Sequence, residues 1–301
     1  MKRFSKNHTI THFDPQNNPA YYCDLEEKVT VEVHDCYGGQ IDSEKIKRPD
    51  IDLSLMNLAT GPIYVNQIES GNFLCVEILD IRFHPYGIMV TSPGLGPLGN
   101  HIKEPTTKLL PVSEGLVHLT ENISFPIHPM IGVIGVAPLT DSIHCAIPGA
   151  HGGNMDTKDI TIGSKVYFPT FHDGGLVAFG DMHAAMGDGE LDGTGVEIAG
   201  EIDLQFHKKL SSQSISMPVV ETSDHWLFIS SAKSYHDAIQ MGLEETVQHI
   251  SSFNNLSFAD AYRLLSATCD LKISQIVNQL LTIRIAVPKT VLPQLFYDEH
   301  V

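Results

Sequence analysis

Positive charge is scarce in this 301-residue chain: 19 Lys and Arg stand against 36 Asp and Glu, a formal net charge of -17. A surface that acidic repels phosphate backbones and anionic lipid, so nucleic acid and membrane are excluded as partners, and a neutral or cationic small substrate fits better. No apolar run approaches the roughly 20 residues of a membrane span. The basic start, Met1-Lys2-Arg3, is followed by no apolar stretch of the kind that drives secretion. The cysteines, Cys23, Cys36, Cys75, Cys145 and Cys269, show no paired spacing. That fits reduced thiols packed as small hydrophobes in a cytoplasmic protein. Residues 91–99, rich in Gly and Pro, lack the Gly-Lys-Ser/Thr ending of a phosphate-binding loop and lead into no helix pattern. They read as an irregular loop that could cover a pocket.

What remains is an ordinary globular composition, 42% hydrophobic and 18% charged, long enough for one large or two ordinary domains. The expected division is a mainly-β domain over residues 1–150 and a second β-rich domain over residues 151–301, which carries a Gly-Asp-x-His motif, late helices and a returning strand. Residues 1–22 are polar and read as a loose leader. Val29, Val31 and Val33 alternate with Thr30, Glu32 and His34, the period of a half-buried strand. The same alternation runs from Val196 to His207 and places Glu197 among the polar positions. Residues 131–137 are apolar and glycine-bearing, as a buried strand in tight contact would be. Helices come late: Ser234 and Ser257 each sit three residues before an Asp, the start signal of a capped helix. Ile273, Ile276, Val277, Leu280 and Leu281 suit a further turn of helix, and Ile283, Ile285 and Val287 return to strand period. The fold class expected is mainly β, with β-sandwich (jelly-roll-like) and β-barrel elements and a few helices near the C-terminus.

Chemistry concentrates in residues 179–190, where three carboxylates, one imidazole and three glycines follow the apolar run Leu176-Val177-Ala178-Phe179. Asp181 and His183, two apart, point to one side if the strand continues, as two ligands of one metal ion must. Gly187 and Gly189 let the chain turn and bring Glu190 back to the same point. A second glycine-rich stretch, His151-Gly152-Gly153-Asn154, suits amide binding: glycines can aim backbone N–H groups at an oxyanion, and Asn can both donate to and accept from a carboxamide. Read as a glycine turn with a side-chain cap, it would do neither. Asp35, at a strand end before Gly38-Gly39, is by spacing alone an ordinary turn cap.

The segment Gly180-Asp181-Met182-His183-Ala184-Ala185-Met186-Gly187-Asp188-Gly189-Glu190 resembles the signature of the acetamidase/formamidase family. Pro148-Gly149-Ala150-His151-Gly152-Gly153-Asn154-Met155-Asp156 resembles that family's other glycine-rich motif. Gly61-Pro62-Ile63-Tyr64-Val65 and Asp270-Leu271-Lys272-Ile273-Ser274-Gln275 are also similar to family segments, so the likeness spans about residues 29–289. Asp35 falls where the family carries an acidic residue; His34 departs from the pattern. The resemblance implies a mainly-β hydrolase of short-chain amides that releases ammonia and uses a divalent metal. A homodimer is expected from the same likeness and from the commonness of two-fold pairs.

On that basis Asp156, Asp181, His183 and Asp35 are the expected metal ligands, with zinc preferred for a mixed nitrogen and oxygen set and calcium or manganese open. Glu190 is the expected general base; alternatively it is a ligand and His151 moves the proton. Gly152, Gly153 and Asn154 are the expected substrate contacts. Two rival readings are a cysteine-nucleophile amidase built on Cys145 beside His144, and a non-catalytic β-sandwich whose metal is structural, with a closed coordination shell.

Overall fold

A computed structural model of the chain describes residues 1–211 and 214–298. The chain is mainly β, with two α-helices among the described residues. A nine-stranded sheet runs in the order Lys2–Phe4, Lys28–Val33, Gly200–Lys209, Phe73–Phe83, Lys165–Pro169, Val219–Glu221, His225–Ala232, Leu281–Pro288 and Asp270–Gln275. A six-stranded sheet is built on Gly152–Asn154, Met130–Gly135, Val177–His183, Ala59–Val65 and Thr9–Ile10, with Tyr21–Cys23 pairing parallel to Ala59–Val65. Both sheets draw strands from either side of residue 150. A smaller four-stranded sheet covers residues 86–126.

Alternation explains how the two large sheets meet. Gly200–Lys209 buries every second residue for most of its length, which turns Ile202, Leu204 and Phe206 inward. These pack in one cluster with Val76 and Ile78 of the same sheet and with Ile63, Ile134, Val177 and Phe179 of the other. Apolar faces closing on each other make a sandwich, and the area they remove from water drives the closure.

Helices α1 (Tyr235–Asn254) and α2 (Phe258–Thr268) begin as their capping serines predict: Ser234 Oγ accepts from the Asp237 N–H and Ser257 Oγ from the Asp260 N–H. They cover the far end of the nine-stranded sheet, where Val247, Ile250, Ala261 and Leu265 pack on Phe228, Ile283, Ile285 and Val287.

Two expectations need correction. Residues 1–22 are not a loose leader: Lys2–Phe4 pairs parallel to Lys28–Val33, Thr9–Ile10 pairs with Ala59–Val65, and Phe13 is buried. Short polar edge strands carry too little hydrophobic period to be read. Nor does a helix follow α2, since Asp270–Gln275 is an edge strand on Leu281–Pro288, with Leu271 and Ile273 exposed. Their spacing fits a helix, but β-branched residues beside an open sheet edge gain more from the ladder.

His249 on α1 is buried against Phe228, and neither ring nitrogen has a hydrogen-bond partner. Burial pushes it down from 6.5 to about 4. Between those values the unfolded chain takes up a proton that the folded chain refuses. The stability held by neutral His249 is therefore complete above pH 6.5 and is lost as pH falls toward 4. Replacing it as His249→Leu should remove about 2–3 kcal/mol of the acid-side loss in denaturant unfolding measured across that window; parallel profiles for the two proteins would refute this.

Candidate active site

The site forms where the Val177–His183 strand leaves the six-stranded sheet. Asp181 takes a left-handed backbone, and so do Asp156 and Glu190, with φ of +52°, +41° and +48°. Such conformations cost about 1–3 kcal/mol each where the surroundings enforce them, and they collect at functional sites. Gly132 on the neighbouring strand makes room for the convergence: a Cβ there would stand 2.4 Å from Asp156 Oδ1 and 2.9 Å from Asp181 Oδ2.

Asp156, His183 and Glu190 bring one ligand atom each within 4.8 Å of one another; Cys36, Asp181 and Glu197 do the same. All six residues are buried. His183 Nδ1 faces the Met130 sulfur, while Nε2 lies 2.9 Å from Glu197, 3.4 Å from Asp181 and 3.8 Å from Glu190 without a well-formed hydrogen bond. The carboxylates share a pattern. Asp156 Oδ2 accepts from Asn278 Nδ2 (2.9 Å), Asp181 Oδ2 from Asn57 Nδ2 (2.9 Å) and Glu197 Oε1 from the Gly195 N–H (2.9 Å). The other oxygen of each is buried and has no hydrogen-bond partner. One oxygen is fixed by the protein and its twin is presented bare, as outer partners orient ligands of a cation.

The electrostatics follow from burial. It pushes Asp156 up to about 7, helped by the charge of Asp181, and Glu197 up to about 8. Glu190 is raised well above the usual carboxylate range by burial and then by Asp156. For Asp181, burial opposes ionisation but the adjacent imidazole outweighs it and holds the carboxyl below its ordinary value. His183 is the counterpart: burial disfavours its charge, and Glu197 and Asp181 override that and raise it.

The cluster opens on a cavity of about 250 Å³ lined by Asp181, Glu190 and Glu197, by Asn154 and Asn278, and by an apolar wall of Leu53, Met56, Leu95, Ala146 and Val277. The Gly- and Pro-rich loop thus contributes Leu95 to the pocket, and the buried Asn154 Oδ1 has no partner.

The structure gathers Asp156, Asp181, His183 and Glu190, with Asn154 beside them. It does not bring in Asp35, whose Oδ1 accepts from the Tyr37 and Gly39 N–H groups and caps the turn. His151, held down at about 4 by burial, lines a larger neighbouring cavity of about 1190 Å³ and packs edge-on against Phe13. The Gly152 N–H donates to the Gly149 carbonyl, and a Cβ on Gly153 would stand 2.3 Å from the Ile147 carbonyl. These glycines serve close chain packing. Cys145 is fully buried, burial pushes its thiol up to about 12, and its Sγ faces the Ile10 carbonyl at 3.6 Å, while His144 Nδ1 accepts from the Ala146 N–H. That arrangement gives a cysteine nucleophile no base.

Sequence reasoning missed Glu197, Cys36, Asn57 and Asn278. Glu197 was assigned to a polar strand face, yet regular pairing starts only at Gly200, and Glu197 sits before it in isolated bridges to Ile88 and His183. The Glu190 loop is clamped from the C-terminal hairpin. The Gly189 N–H donates to the Ser274 carbonyl, and fully buried Arg284 binds Asp188 (2.7 Å), Asp159 (2.6 Å) and the Ile273 carbonyl (2.6 Å).

Four buried carboxyl groups gather around one imidazole on a β scaffold; Asp156, Asp181 and Glu197 each keep one oxygen without a hydrogen-bond partner, and Asp181, Glu190 and Glu197 line a small cavity. The chain belongs to the acetamidase/formamidase family, whose model matches residues 2–146 and 140–294. It is similar to the crystal structure of an acetamidase from Bacillus halodurans, with a TM-score of 0.94 and 40% identity over 97% of this chain and 99% of that one. An acetamidase from Yersinia enterocolitica gives a TM-score of 0.88 and 27% identity, covering 97% and 93% of the two chains. A formamidase of Methylophilus methylotrophus is 27% identical over 242 residues, 60% of this chain. The match spans 58% of that relative's length.

Arg284→Met should cost about 3 kcal/mol in urea unfolding, toward the low end for a broken buried pair because Asp188 and Asp159 can rehydrate. Arg284→Lys should recover less than half, since one ammonium does not reproduce the three-way fork. A loss under about 1 kcal/mol for the methionine variant would argue against the clamp.

Proposed function

We propose that this chain hydrolyses short-chain aliphatic amides to ammonia and a carboxylate, using a divalent ion, zinc by preference, held by Asp156, Asp181 and His183. The observation that carries the reading is the set of buried oxygens of Asp156, Asp181 and Glu197 that have no hydrogen-bond partner beside His183, with Asp181 and Glu197 lining the small cavity. The mixed oxygen and nitrogen donors suit zinc, and Gly132 leaves the space where the two aspartates converge. The names of the relatives support the same substrate class.

An ion bound there supplies Lewis-acid polarisation and acidifies water to a pKa of about 7. The chain's own residues do the rest. Asn154 Oδ1 lacks a partner and can accept from the N–H of a primary amide, which orients the carbonyl toward the cluster. Glu190, lining the cavity and raised by burial, takes the proton of the attacking water and delivers it to the nitrogen as the C–N bond breaks. The wall of Leu53, Met56, Leu95, Ala146 and Val277 receives the acyl group. At about 250 Å³ the cavity lies below the roughly 300–1,000 Å³ of pockets for drug-sized ligands, which favours small amides. An open cavity at the cluster also favours catalysis over a closed structural shell.

Chelator treatment should abolish ammonia release from formamide and acetamide, and zinc should restore it. Glu190→Gln should lower kcat by about 10²–10⁴-fold with zinc content unchanged; full turnover in the folded variant would remove its assigned role. Met56→Ala should raise kcat/KM for propionamide relative to acetamide by about 10-fold, the worth of a methylene or two of space. An unaltered ratio would place the acyl group elsewhere.

A further inference from the structure

We infer that Arg48 is the carboxylate-binding residue of the active-site cavity, where it takes the carboxylate of a short acid amide or of the acid that hydrolysis leaves behind. The inference rests on the reading of the site given above and extends its substrate class.

Arg48 differs from the other arginines. Arg3 pairs with Glu32 (2.7 Å), Arg82 with Asp203 (2.6 Å), Arg263 with Asp260 (2.6 Å) and Arg284 with Asp159 (2.6 Å). Arg48 has neither an ion pair nor a side-chain hydrogen bond among the described residues. With 36 acidic side chains against 19 Lys and Arg, partners for a guanidinium are plentiful in this chain. Those nearest in sequence are turned elsewhere: Asp50 Oδ2 accepts from the Lys47 N–H (2.8 Å) and Asp52 Oδ1 from the Ser54 N–H (2.9 Å).

Position is the second support. Arg48 is half-buried and lines the cavity of about 250 Å³ with Asp181, Glu190 and Glu197, and no other Lys or Arg among the described residues does. None of the three carboxyl groups is within ion-pair distance of it; Asp181, Glu190 and Glu197 approach His183 instead. The backbone beneath the guanidinium is fixed. Arg48–Asp50 is a single 3₁₀ turn containing Pro49, closed by the Asp50 N–H on the Lys47 carbonyl (2.8 Å). Ile46 and Ile51 on either side pack against the cluster of Cys36, Tyr37 and Ile88, and the Ile46 carbonyl accepts from Thr107 Oγ1 (2.7 Å). A pinned turn lowers the ordering cost of a contact made from it.

The chemistry follows. A guanidinium matches a carboxylate as a two-toothed fork, and an unpaired one gives up no existing partner to do so. An acidic surface favours neutral or cationic ligands, so an anion that enters this cavity needs a local cation, and Arg48 supplies it. With the amide end at Asn154, the apolar wall that includes Leu53 and Met56 covers a short methylene spacer and the far carboxylate meets Arg48.

The test uses the zinc-loaded chain with malonamate and succinamate, acid amides with one and two methylenes, and with isovaleramide, the uncharged isostere of malonamate. Arg48→Gln should lower kcat/KM for the better acid amide relative to isovaleramide by about 10–100-fold. Arg48→Lys should recover part of that, because an ammonium keeps the charge and loses the fork. Arg48→Glu should turn the preference toward β-alaninamide, whose ammonium stands where succinamate has its carboxylate. Acetate binding, titrated by its proton resonance, reads the product: Arg48→Gln should raise its Kd by about 10-fold. A fall in the ratio assigns the carboxylate to the substrate, and weaker acetate binding with an unmoved ratio assigns it to the product. A ratio and an acetate affinity both unchanged in Arg48→Gln would overturn the inference. Absence of amide turnover by the wild-type chain would sink the proposed reaction, and the acetate titration would still decide the role of Arg48.

Discussion

The structure is organised around negative charge that it has buried. Four carboxyl groups lie within 4.8 Å of one imidazole, away from water, and ionising any of them there carries a desolvation penalty of several kcal/mol. Nothing in their hydrogen bonding cancels it, because the amide and N–H donors reach one oxygen of Asp156, Asp181 and Glu197 and leave the other exposed to its neighbours. A cluster built that way is destabilising by itself. Its cost has to be met by the rest of the fold.

The rest of the fold is suited to that. Two large sheets close on a continuous apolar cluster, and a second cluster fixes α1 and α2 on the far end of the nine-stranded sheet. The acidic groups stand on the stiffest parts of this frame: Asp181 and His183 end a fully buried strand, and Asp156 follows the strand paired across Met130–Gly135. Glu197 sits in isolated bridges before its strand, and Glu190 sits on a loop. There the C-terminal hairpin does what a strand would do, through Ser274 and Arg284. Asn278, just beyond, reaches the Asp156 carboxylate from the same side. A segment late in the chain therefore holds groups placed far earlier, and the left-handed backbone at three acidic residues is stored against that support.

Much of this was legible. Alternation identified the strands at Val29 and Val196, apolar glycine-bearing sequence identified Met130–Gly135, and capping serines marked both helices, because these signals are local and depend on one element each. Asp181, His183 and Glu190 were found because glycines and ligand-type residues crowd into one short segment. The failures are as informative. Asp270–Gln275 has helical spacing and is a strand because an open ladder lies next to it. Asp35 reads by spacing as a turn cap and only the family likeness made it a ligand; it caps the turn, while its neighbour Cys36 faces the cluster. Glu197 sits in an alternating run that suggests an outward face, and it points inward because regular pairing has not begun there.

Sequence by itself determined the class of fold, the acidic character of the chain, the helix starts and the segment that holds the central imidazole. Each of these follows from composition or from periods of two and three to four residues, which neighbours in the chain enforce. The tertiary structure alone decided which carboxylates share that imidazole, which of their oxygens stay bare, how large the adjoining cavity is and why His151 lies outside it. Those properties depend on contacts between residues more than a hundred positions apart, as between Asn57 and Asp181 or Asn278 and Asp156. No local pattern encodes such a meeting, because it is fixed by how two sheets close over a common core.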